Sequence, residues 1–391
     1  MKLLYTCADR ADDPLHWSGT VWNCRNALES AGVELAVFDR IPFECPLPLR
    51  MFHQLHKRLG RKTHYLQIEP AVLHRAARRV AERFARGDCD AVFCPGIGVP
   101  VHAWLPASVP VVTYLDATKR SWIATYFGLE TLSARSRRHV GEIDRASLFN
   151  NTLTIFSSDW ARSEAARDYD VPDARMAVTP FGANLVEAPL RAEVEVWIAA
   201  RRRDPLRLLF LGKEWNRKGG PEALALVRAL RARGLAATLD IVGCVPALGD
   251  ADRALTRIHG FIDHSGPAGG KIFHALLREA HVLLFLSRAE AYGIALCEAA
   301  AFGVPAYASN VGGIPTIVRH GVTGWLGATP FCPEAAAAAI TAVWRSPDQY
   351  RRMALAARAD YEGRLNWRVA GHSLKAHIEL ALAGRAPGSV P

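Results

Sequence analysis

The sequence lacks any long apolar run. None of its hydrophobic stretches approaches the roughly 18 consecutive residues that a membrane-spanning helix requires. The opening segment Met1–Cys7 is too short for a signal peptide and leads directly into polar residues. It is better interpreted as a buried first strand. We therefore expect a cytoplasmic protein that has no transmembrane helix.

Paired cysteines are also absent. None of the eight cysteines forms a C-x-x-C pair, the spacing typical of zinc sites and redox-active disulfides. Several of them, such as Cys244 and Cys297, fall within apolar patterns that predict buried, reduced thiols. We therefore expect neither disulfides nor a metal site, and we predict no cofactor.

Acidic residues are scarce between Arg50 and Arg86, where ten Lys and Arg stand against two Glu. Within this segment, residues 69–86 have the pattern of an amphipathic helix with its arginines on the outer face. The segment is an ordinary solvated surface, a contact with an anionic membrane or a contact with an acidic acceptor. A membrane contact would make the protein peripheral on the inner face of that membrane. We do not expect nucleic acid as a partner, because neither aromatic interleaving nor a binding motif accompanies the charge.

The composition is that of an ordinary globular protein, and 391 residues are enough for two domains. Short apolar runs alternate with helical patterns in both halves, which predicts parallel sheets joined by right-handed crossovers. We expect an α/β protein with two Rossmann-like domains. The predicted boundaries give an N-terminal domain over 1–184, a C-terminal domain over 185–366, and a terminal helix and tail over 367–391.

The most informative stretch follows the apolar run Val282–Leu286, which is typical of a buried parallel strand. Glu290 lies in the loop after this strand, and Glu298 lies about one turn into the helix that begins near Gly293. Eight helical residues span about 12 Å, so the two carboxylates are too far apart to share one atom. They are predicted to hold different parts of one elongated ligand, unless both are simply solvated.

The helix start between these two glutamates predicts an anion site. The backbone N–H groups of Gly293, Ile294 and Ala295 lack partners within the helix and suit a phosphate. A second turn of this kind follows the predicted strand Leu206–Leu211, where Lys213 and Lys218 precede another helix. A lone basic loop is usually solvated, but two phosphate-facing turns in one α/β unit favour a nucleoside diphosphate.

These features resemble a known family. The motifs that carry the resemblance are Gly212-Lys213, Lys218-Gly219, Gly260-Phe261, Glu290-x7-Glu298, Gly303-Val-Pro305, Asn310-Val-Gly-Gly313 and Gly321-Val-Thr-Gly324. Together they are similar to the retaining glycosyltransferases of family 4, which have the GT-B fold, and the match is strongest in the second half. The resemblance implies an interdomain cleft, a C-terminal helix that crosses back to the first domain, and a nucleotide-sugar donor.

The resemblance also implies roles for individual residues. Lys213, Lys218 and the amides of residues 293–295 would stabilise the leaving diphosphate, although the family usually has Arg where Lys213 stands. Glu298 would accept hydrogen bonds from the ribose hydroxyls, and Glu290 would contact the sugar. Phe261 and Ile262 stand where the family holds the nucleobase.

In the first half, the resemblance points to loops at the ends of predicted strands. Residues 17–20, with a single glycine at Gly19, occupy the place of the family's Gly-rich first loop, or else Gly19 is a plain helix cap. Asp116 matches the second member of a His-Asp pair whose first member is Leu115 here. It is the best polar group near the chemistry, unless it only caps the next helix. Residues 95–98, like Asp116, follow the carboxyl end of a predicted strand.

We therefore expect a metal-independent retaining glycosyltransferase that acts on a glycan, lipid-linked or small acceptor. No carboxylate is well placed as a nucleophile, so the resemblance implies a front-face path in which the leaving phosphate helps to deprotonate the acceptor. The alternatives are a GT-B nucleotide-sugar epimerase, a glycogen-type phosphorylase, or a catalytically inactive nucleotide-sugar-binding scaffold. A phosphorylase would need a Schiff-base lysine, and none stands out.

Overall fold

The structure is a computed structural model that describes residues 1–14, 16–59, 62–63, 65–96 and 103–384. Its strands are β1 Lys2–Thr6, β2 Glu34–Phe38, β3 Ala91–Pro95, β4 Val111–Leu115, β5 Leu153–Phe156, β6 Met176–Val178, β7 Leu206–Leu211, β8 Ala237–Val242, β9 Thr256–Gly260, β10 Val282–Phe285, β11 Ala306–Ser309 and β12 Gly324–Gly327. The part of the loop at residues 95–98 that lies beyond Gly96 falls outside the described residues.

Helices follow most of these strands. They are α1 Thr20–Ser30, α2 Leu47–Arg58, α3 Pro70–Phe84, α4 Lys119–Tyr126, α5 Ala134–Asn150, α6 Asp159–Tyr169, α7 Arg191–Ala200, α8 Gly220–Ala232, α9 Asp250–Arg253, α10 Pro267–Glu279, α11 Ile294–Ala301, α12 Ile314–Ile317, α13 Pro333–Trp344, α14 Pro347–Arg364 and α15 Trp367–Leu382. Among the described helices, none is both long enough and apolar enough to cross a membrane.

The contacts divide the chain into two units. The first comprises residues 1–181 together with the segment from Ala370, and the second comprises Gly182–Val369. Most of α15 therefore belongs to the first unit, where Gly371 lies against the backbone of Ala27 and Lys375 donates to the Ala31 carbonyl at 3.1 Å. A side chain at position 371 would collide with the carbonyl oxygen of Ala27, so glycine allows α15 to approach α1 closely.

The first unit contains a parallel sheet of order β2-β1-β3-β4-β5-β6. Strands β1, β3 and β4 are almost entirely buried, as their continuous apolar sequences predict. The strand order reverses between β1 and β3. The loops after these two strands therefore leave the sheet at the position where parallel sheets usually bind ligands.

The second unit contains a parallel sheet of order β12-β11-β10-β7-β8-β9. Its core packs α8 and α13 against the sheet, with Leu226 and Ile340 buried beside Leu208 and Leu284. The order reverses between β7 and β10, which pair directly with Leu283 opposite Leu209. The turn after β7 and the turn after β10 therefore begin side by side.

Several predicted elements have different bounds in the structure. The sequence pattern also predicts a connecting helix over Glu187–Arg203. In the structure this helix is α7, which is shorter because Leu190 is its N-cap just after Pro189 and the helix ends at Ala200. A strand is likewise predicted over Ile258–Phe261, but it runs from Thr256 to Gly260, so Phe261 lies in the loop that follows it. Strands β6 and β12 and helices α2, α9 and α12 were not predicted.

Candidate functional site

The site residues of the second unit lie on the turns after β7 and β10. Two hydrogen bonds connect these turns. The Arg288 amide donates to the Arg217 carbonyl at 2.9 Å, and the Arg217 guanidinium donates to the Ala289 carbonyl at 3.0 Å. The two turns thus form one connected structure at the reversal point of the sheet, where ligands of such sheets collect.

Lys218 and Glu290 form an ion pair between these turns. The Lys218 ammonium contacts Oε2 of Glu290, and both side chains are largely buried, at 16% and 10% exposure. The buried Ser287 hydroxyl lies 3.2 Å from the same oxygen and can donate to it. Lys218 also lies over the Phe285 ring, with its Nζ 4.9 Å from the centroid. The sequence assigned Lys218 to phosphate and Glu290 to sugar, and the structure brings these two side chains into contact.

Gly312 supports the backbone of Glu290. A Cβ atom at position 312 would lie only 1.7 Å from the Glu290 carbonyl oxygen, and Gly312 has φ +53°. The neighbouring Gly313 amide donates to the Ala291 carbonyl at 3.1 Å. The Asn310–Gly313 turn noted in the sequence therefore serves to hold the glutamate loop, which requires glycine at position 312.

Helix α11 begins at this loop. Its N-cap residue Gly293 has φ +109°, a left-handed conformation that favours glycine. The amides of Gly293, Ile294 and Ala295 have no backbone acceptor among the described residues. A Cβ at position 293 would lie 3.1 Å from the Phe285 ring, the same ring that Lys218 covers. The helix N-terminus and the lysine therefore share one aromatic neighbour.

Glu298 lies within α11 and is only 6% exposed. Burial raises the pKa of its carboxyl to about 8, and a hydrogen bond from the Asn184 backbone N–H opposes that rise. Nε2 of His264 lies 3.8 Å from Oε1 of Glu298, and burial lowers the pKa of His264 below its usual value. Glu298 is therefore poised to change its protonation state when a ligand supplies hydrogen-bond donors.

Asn184 links this carboxylate to the beginning of α15. Its side-chain oxygen accepts a 2.7 Å hydrogen bond from the Trp367 indole N–H. The adjacent Ala183 amide donates to the Leu365 carbonyl at 3.0 Å. The segment that enters the second unit and the segment that leaves it are therefore hydrogen-bonded to each other beside Glu298.

Lys213 and Phe261 meet at the exposed end of the same sheet. Nζ of Lys213 lies 4.8 Å from the centre of the Phe261 ring, which is 61% exposed. Ile262 next to it is half-buried. Lys213 follows Gly212, and a side chain at Gly212 would lie 2.9 Å from Cγ of Lys218. Lys213 therefore lies beside the predicted base-binding segment, and Lys218 packs against the glycine that precedes Lys213.

In the first unit, Asp116 is buried at the end of β4 but does not cap α4. The N-cap is Thr118, whose hydroxyl accepts from the Ser121 amide. The amides of Lys119 and Arg120 donate to Asp144 instead, at 3.0 and 2.8 Å. The capping alternative for Asp116 is therefore wrong, because Thr118 caps α4 and Asp144 from α5 accepts from its first amides.

Gly19 is the N-cap of α1, with φ +81° and no side-chain cap. Trp17 and Ser18 before it also have positive φ values, of 45° and 54°. The Trp17 ring packs edge-on against Phe181 at 5.6 Å, and a Cβ at Gly96, which has φ +88°, would lie 3.2 Å from the same ring. The loop after β1 is thus folded tightly over its own unit. Gly19 therefore caps α1, which is one of the two roles that the sequence allowed for it.

The sequence did not identify three polar partners of the site. Ser287 and His264 each lie within three residues of a predicted position, so proximity in sequence was the available signal. Asn184 was recognised only as the exit from the first domain, and nothing in its sequence context predicts an interaction with Glu298. Within the described ranges, no group of three or more His, Cys, Asp and Glu side chains is arranged to hold a metal ion.

Residues 195–360 match the family described as "Glycosyl transferases group 1". This span contains Lys213, Lys218, Glu290 and Glu298. A glycogen synthase of Mycobacterium tuberculosis is 31% identical over 203 residues, which make up 48% of this chain and 47% of that protein. The chain spans about half the length of the curated relatives that it matches first. The sequence similarity thus lies mainly in the second unit.

Solved structures resemble the whole chain. Sucrose-phosphate synthase from Thermosynechococcus elongatus superposes with a TM-score of 0.66 and 19% identity, over 98% of this chain and 99% of that one. HepE of Anabaena, solved in complex with UDP, superposes with a TM-score of 0.61 and 16% identity, over 97% and 100%. With two six-stranded parallel sheets, these likenesses establish the GT-B fold, and the predicted fold class is confirmed.

Proposed function

We propose that this chain, which matches the group 1 glycosyl transferases over its second unit, is a glycosyltransferase. It takes a sugar from a nucleoside-diphosphate sugar, retains the anomeric configuration, and needs no metal ion. The observation that carries the proposal is the arrangement at the reversal point of the second sheet. There, the Lys218–Glu290 pair shares the Phe285 ring with the N-terminus of α11, the helix that holds the buried Glu298.

The diphosphate is proposed to bind to Lys213, Lys218 and the amides of residues 293–295. Transfer requires stabilisation of the negative charge that grows on the phosphate as the anomeric bond breaks. Two ammonium groups and a helix N-terminus can supply this stabilisation without a metal. Lysine acts here as a point charge and does not offer the two-pronged geometry of arginine.

The nucleoside is proposed to extend from Glu298 to Phe261. Ribose hydroxyls are good donors to a carboxylate, and Glu298 is buried where a donor would find little competition from water. The exposed Phe261 ring and the adjacent Ile262 offer an apolar surface for the base. This placement follows the resemblance and the contacts around each residue.

Glu290 is proposed to hold the sugar. The bond between C1 and the phosphate oxygen breaks, and an acceptor oxygen forms the new bond to C1 on the same face. The acceptor proton passes to the departing phosphate oxygen, so that no separate base is required. Asp116, from the first unit, is proposed to act on the acceptor side.

The acceptor is proposed to be a glycan, a lipid-linked saccharide or a small molecule. Relatives named glycogen synthase and sucrose-phosphate synthase support a carbohydrate or small acceptor. An epimerase would instead convert the donor without any acceptor. An inactive scaffold would bind the nucleotide sugar and release it unchanged. Product analysis with and without acceptor separates these alternatives.

The first experiment measures thermal shifts with UDP-, GDP- and ADP-sugars. One nucleotide should raise the melting temperature, and Lys218→Ala should lose most of that rise because it removes the buried cation. Lys271→Ala, at an exposed lysine of the same unit, is the matched control and should keep the rise. If none of the nucleotide sugars shifts the melting temperature, or if both variants behave alike, the proposed diphosphate site is wrong.

A further inference from the structure

Helix α2 presents its large apolar side chains to solvent. Leu47, Met51 and Leu55 recur every fourth residue on one face and are 68%, 66% and 57% exposed. Phe52 is 41% exposed, and Leu59 just after the helix is 58% exposed. Single exposed apolar residues are normal, but five on one short segment form a patch of the kind that marks an interaction site.

This apolar face is distinct from the face by which α2 packs on its own unit. Leu49, His53 and His56 are half-buried, which identifies the opposite side of the helix as the inner one. Beyond α2, the Thr63 amide donates to the Thr131 carbonyl at 2.8 Å, and the Ser133 amide donates to the Thr63 carbonyl at 2.9 Å. The exposure of the individual side chains therefore places the apolar face of α2 outward.

The charge around this face has one sign. Between positions 46 and 68 the sequence contains five Lys or Arg residues and no Asp or Glu. Arg50, Arg58 and Lys62 are exposed, and no carboxylate in the described part of the chain lies within ion-pair distance of them. The face therefore combines apolar side chains with three cations, Arg50, Arg58 and Lys62, that pair with no carboxylate among the described residues.

The neighbouring helix α3 differs in this respect. Arg78 pairs with Glu82 at 2.8 Å, Arg79 pairs with Glu44, and Arg83 pairs with Asp88 at 2.7 Å. These three arginines are largely neutralised within their own unit. The membrane contact expected for the whole Arg50–Arg86 segment is therefore better supported at α2 than at α3.

We propose that α2 docks on an anionic lipid bilayer. Its apolar face enters the boundary between headgroups and acyl chains, and Arg50, Arg58 and Lys62 contact the anionic headgroups. The one-signed charge favours this occupant over a second copy of the chain. A symmetric pairing of two α2 helices would bring the same cations together and repel. The inference does not depend on the proposed catalytic activity.

The test is flotation of the full chain with lipid vesicles. The wild-type protein should float with phosphatidylcholine vesicles that contain phosphatidylglycerol and float much less with phosphatidylcholine alone. Met51→Asp/Leu55→Asp should weaken binding to the anionic vesicles about tenfold or more, since it removes two inserted side chains and adds like charge. Arg50→Gln/Arg58→Gln should lower binding to the anionic vesicles but leave the weak binding to phosphatidylcholine alone unchanged.

The matched control is Val196→Asp/Val245→Asp, which makes the same kind of change at two exposed apolar residues of the second unit. It should float like the wild type. Met51→Ser/Leu55→Ser repeats the test without new charge, and thermal melts check that each variant is folded. The proposal is overturned if the wild type does not float, or if the α2 variants and the control float equally. It is also overturned if α2 substitutions abolish self-association while vesicle binding is absent.

Discussion

The ammonium group of Lys218 contacts the carboxylate of Glu290, although 72 residues separate the two in sequence. In the proposed reaction these groups serve different parts of the donor, phosphate and sugar. In the structure they form an ion pair with each other. A nucleoside diphosphate must therefore compete with Glu290 for the lysine, and the arriving sugar gives Glu290 a new partner.

Glu290→Gln should separate these two effects. Affinity for the free nucleoside diphosphate should rise, by about tenfold at most, because Lys218 no longer faces a negative charge. Turnover of the nucleotide sugar should fall by about 100-fold, because the amide holds the sugar less strongly than the carboxylate does. Calorimetry with the diphosphate and steady-state kinetics measure the two quantities.

Lys218→Ala provides the comparison for that substitution, because it should weaken the binding of both the free diphosphate and the complete nucleotide sugar. If Glu290→Gln also weakens the binding of the free diphosphate, then Glu290 positions Lys218 for the diphosphate and does not compete with the diphosphate for Lys218. The assignment of Glu290 to the sugar would then be wrong.

The raised pKa of Glu298 predicts that nucleotide binding depends on pH. Burial raises this pKa to about 8, so the carboxyl is mostly protonated at neutral pH. Ribose hydroxyls that donate to the ionised form would lower the pKa on binding, so binding releases a proton. Affinity should therefore increase as the pH rises toward 8, by up to about tenfold per unit, and level off above it.

Calorimetry in buffers with different ionisation heats measures this proton release directly. Glu298→Gln should bind nucleotide more weakly and show no release. His264, which lies 3.8 Å away, titrates below its usual range and should contribute little near neutral pH. His264→Gln serves as the control and should retain the proton release. Proton uptake by the wild type would exclude an ionised Glu298 as the ribose acceptor.

Phe261→Ala should weaken nucleotide binding without lowering stability. The ring is 61% exposed, so its removal leaves little cavity, whereas base–aromatic stacking is worth about 1–3 kcal/mol. The Michaelis constant for the donor should rise about tenfold while the melting temperature stays unchanged. Val245→Ala is the matched control, since Val245 is 75% exposed and lies beside Gly260. Equal effects of the two substitutions would remove Phe261 from the base site.

The sequence located the glutamate-bearing turn well because the signal there is local. The run Val282–Leu286 is apolar without interruption, and Gly293 marks the start of the helix that carries Glu298. In the structure, β10 ends at Phe285 and α11 begins at Ile294. A continuous apolar strand and a glycine-led helix are determined by neighbours in sequence, so both could be predicted without a fold.

Other features depend on which side of an element meets the protein. The apolar positions of α2 would ordinarily predict a buried face, and only the packing shows that Met51 and Leu55 point outward. The N-cap of α4 is Thr118, and the first amides of the helix donate to Asp144 from α5, so the nearby Asp116 does not cap it. The pairing of Lys218 with Glu290 likewise depends on the adjacency of β7 and β10. No local pattern contains this information.

A chelator should leave the activity unchanged. In the proposed site the charge of the leaving diphosphate is met by Lys213, Lys218 and the first amides of α11, so that no cation is required. Initial rates measured in EDTA and in added Mg²⁺ should therefore agree, whereas Lys218→Ala should lower kcat/KM by about 100-fold or more in both conditions. Lys271→Ala is again the control for a lysine outside the site. A loss of activity in EDTA that Mg²⁺ restores would mean that a metal ion completes the diphosphate site, and that the two lysines are insufficient without it.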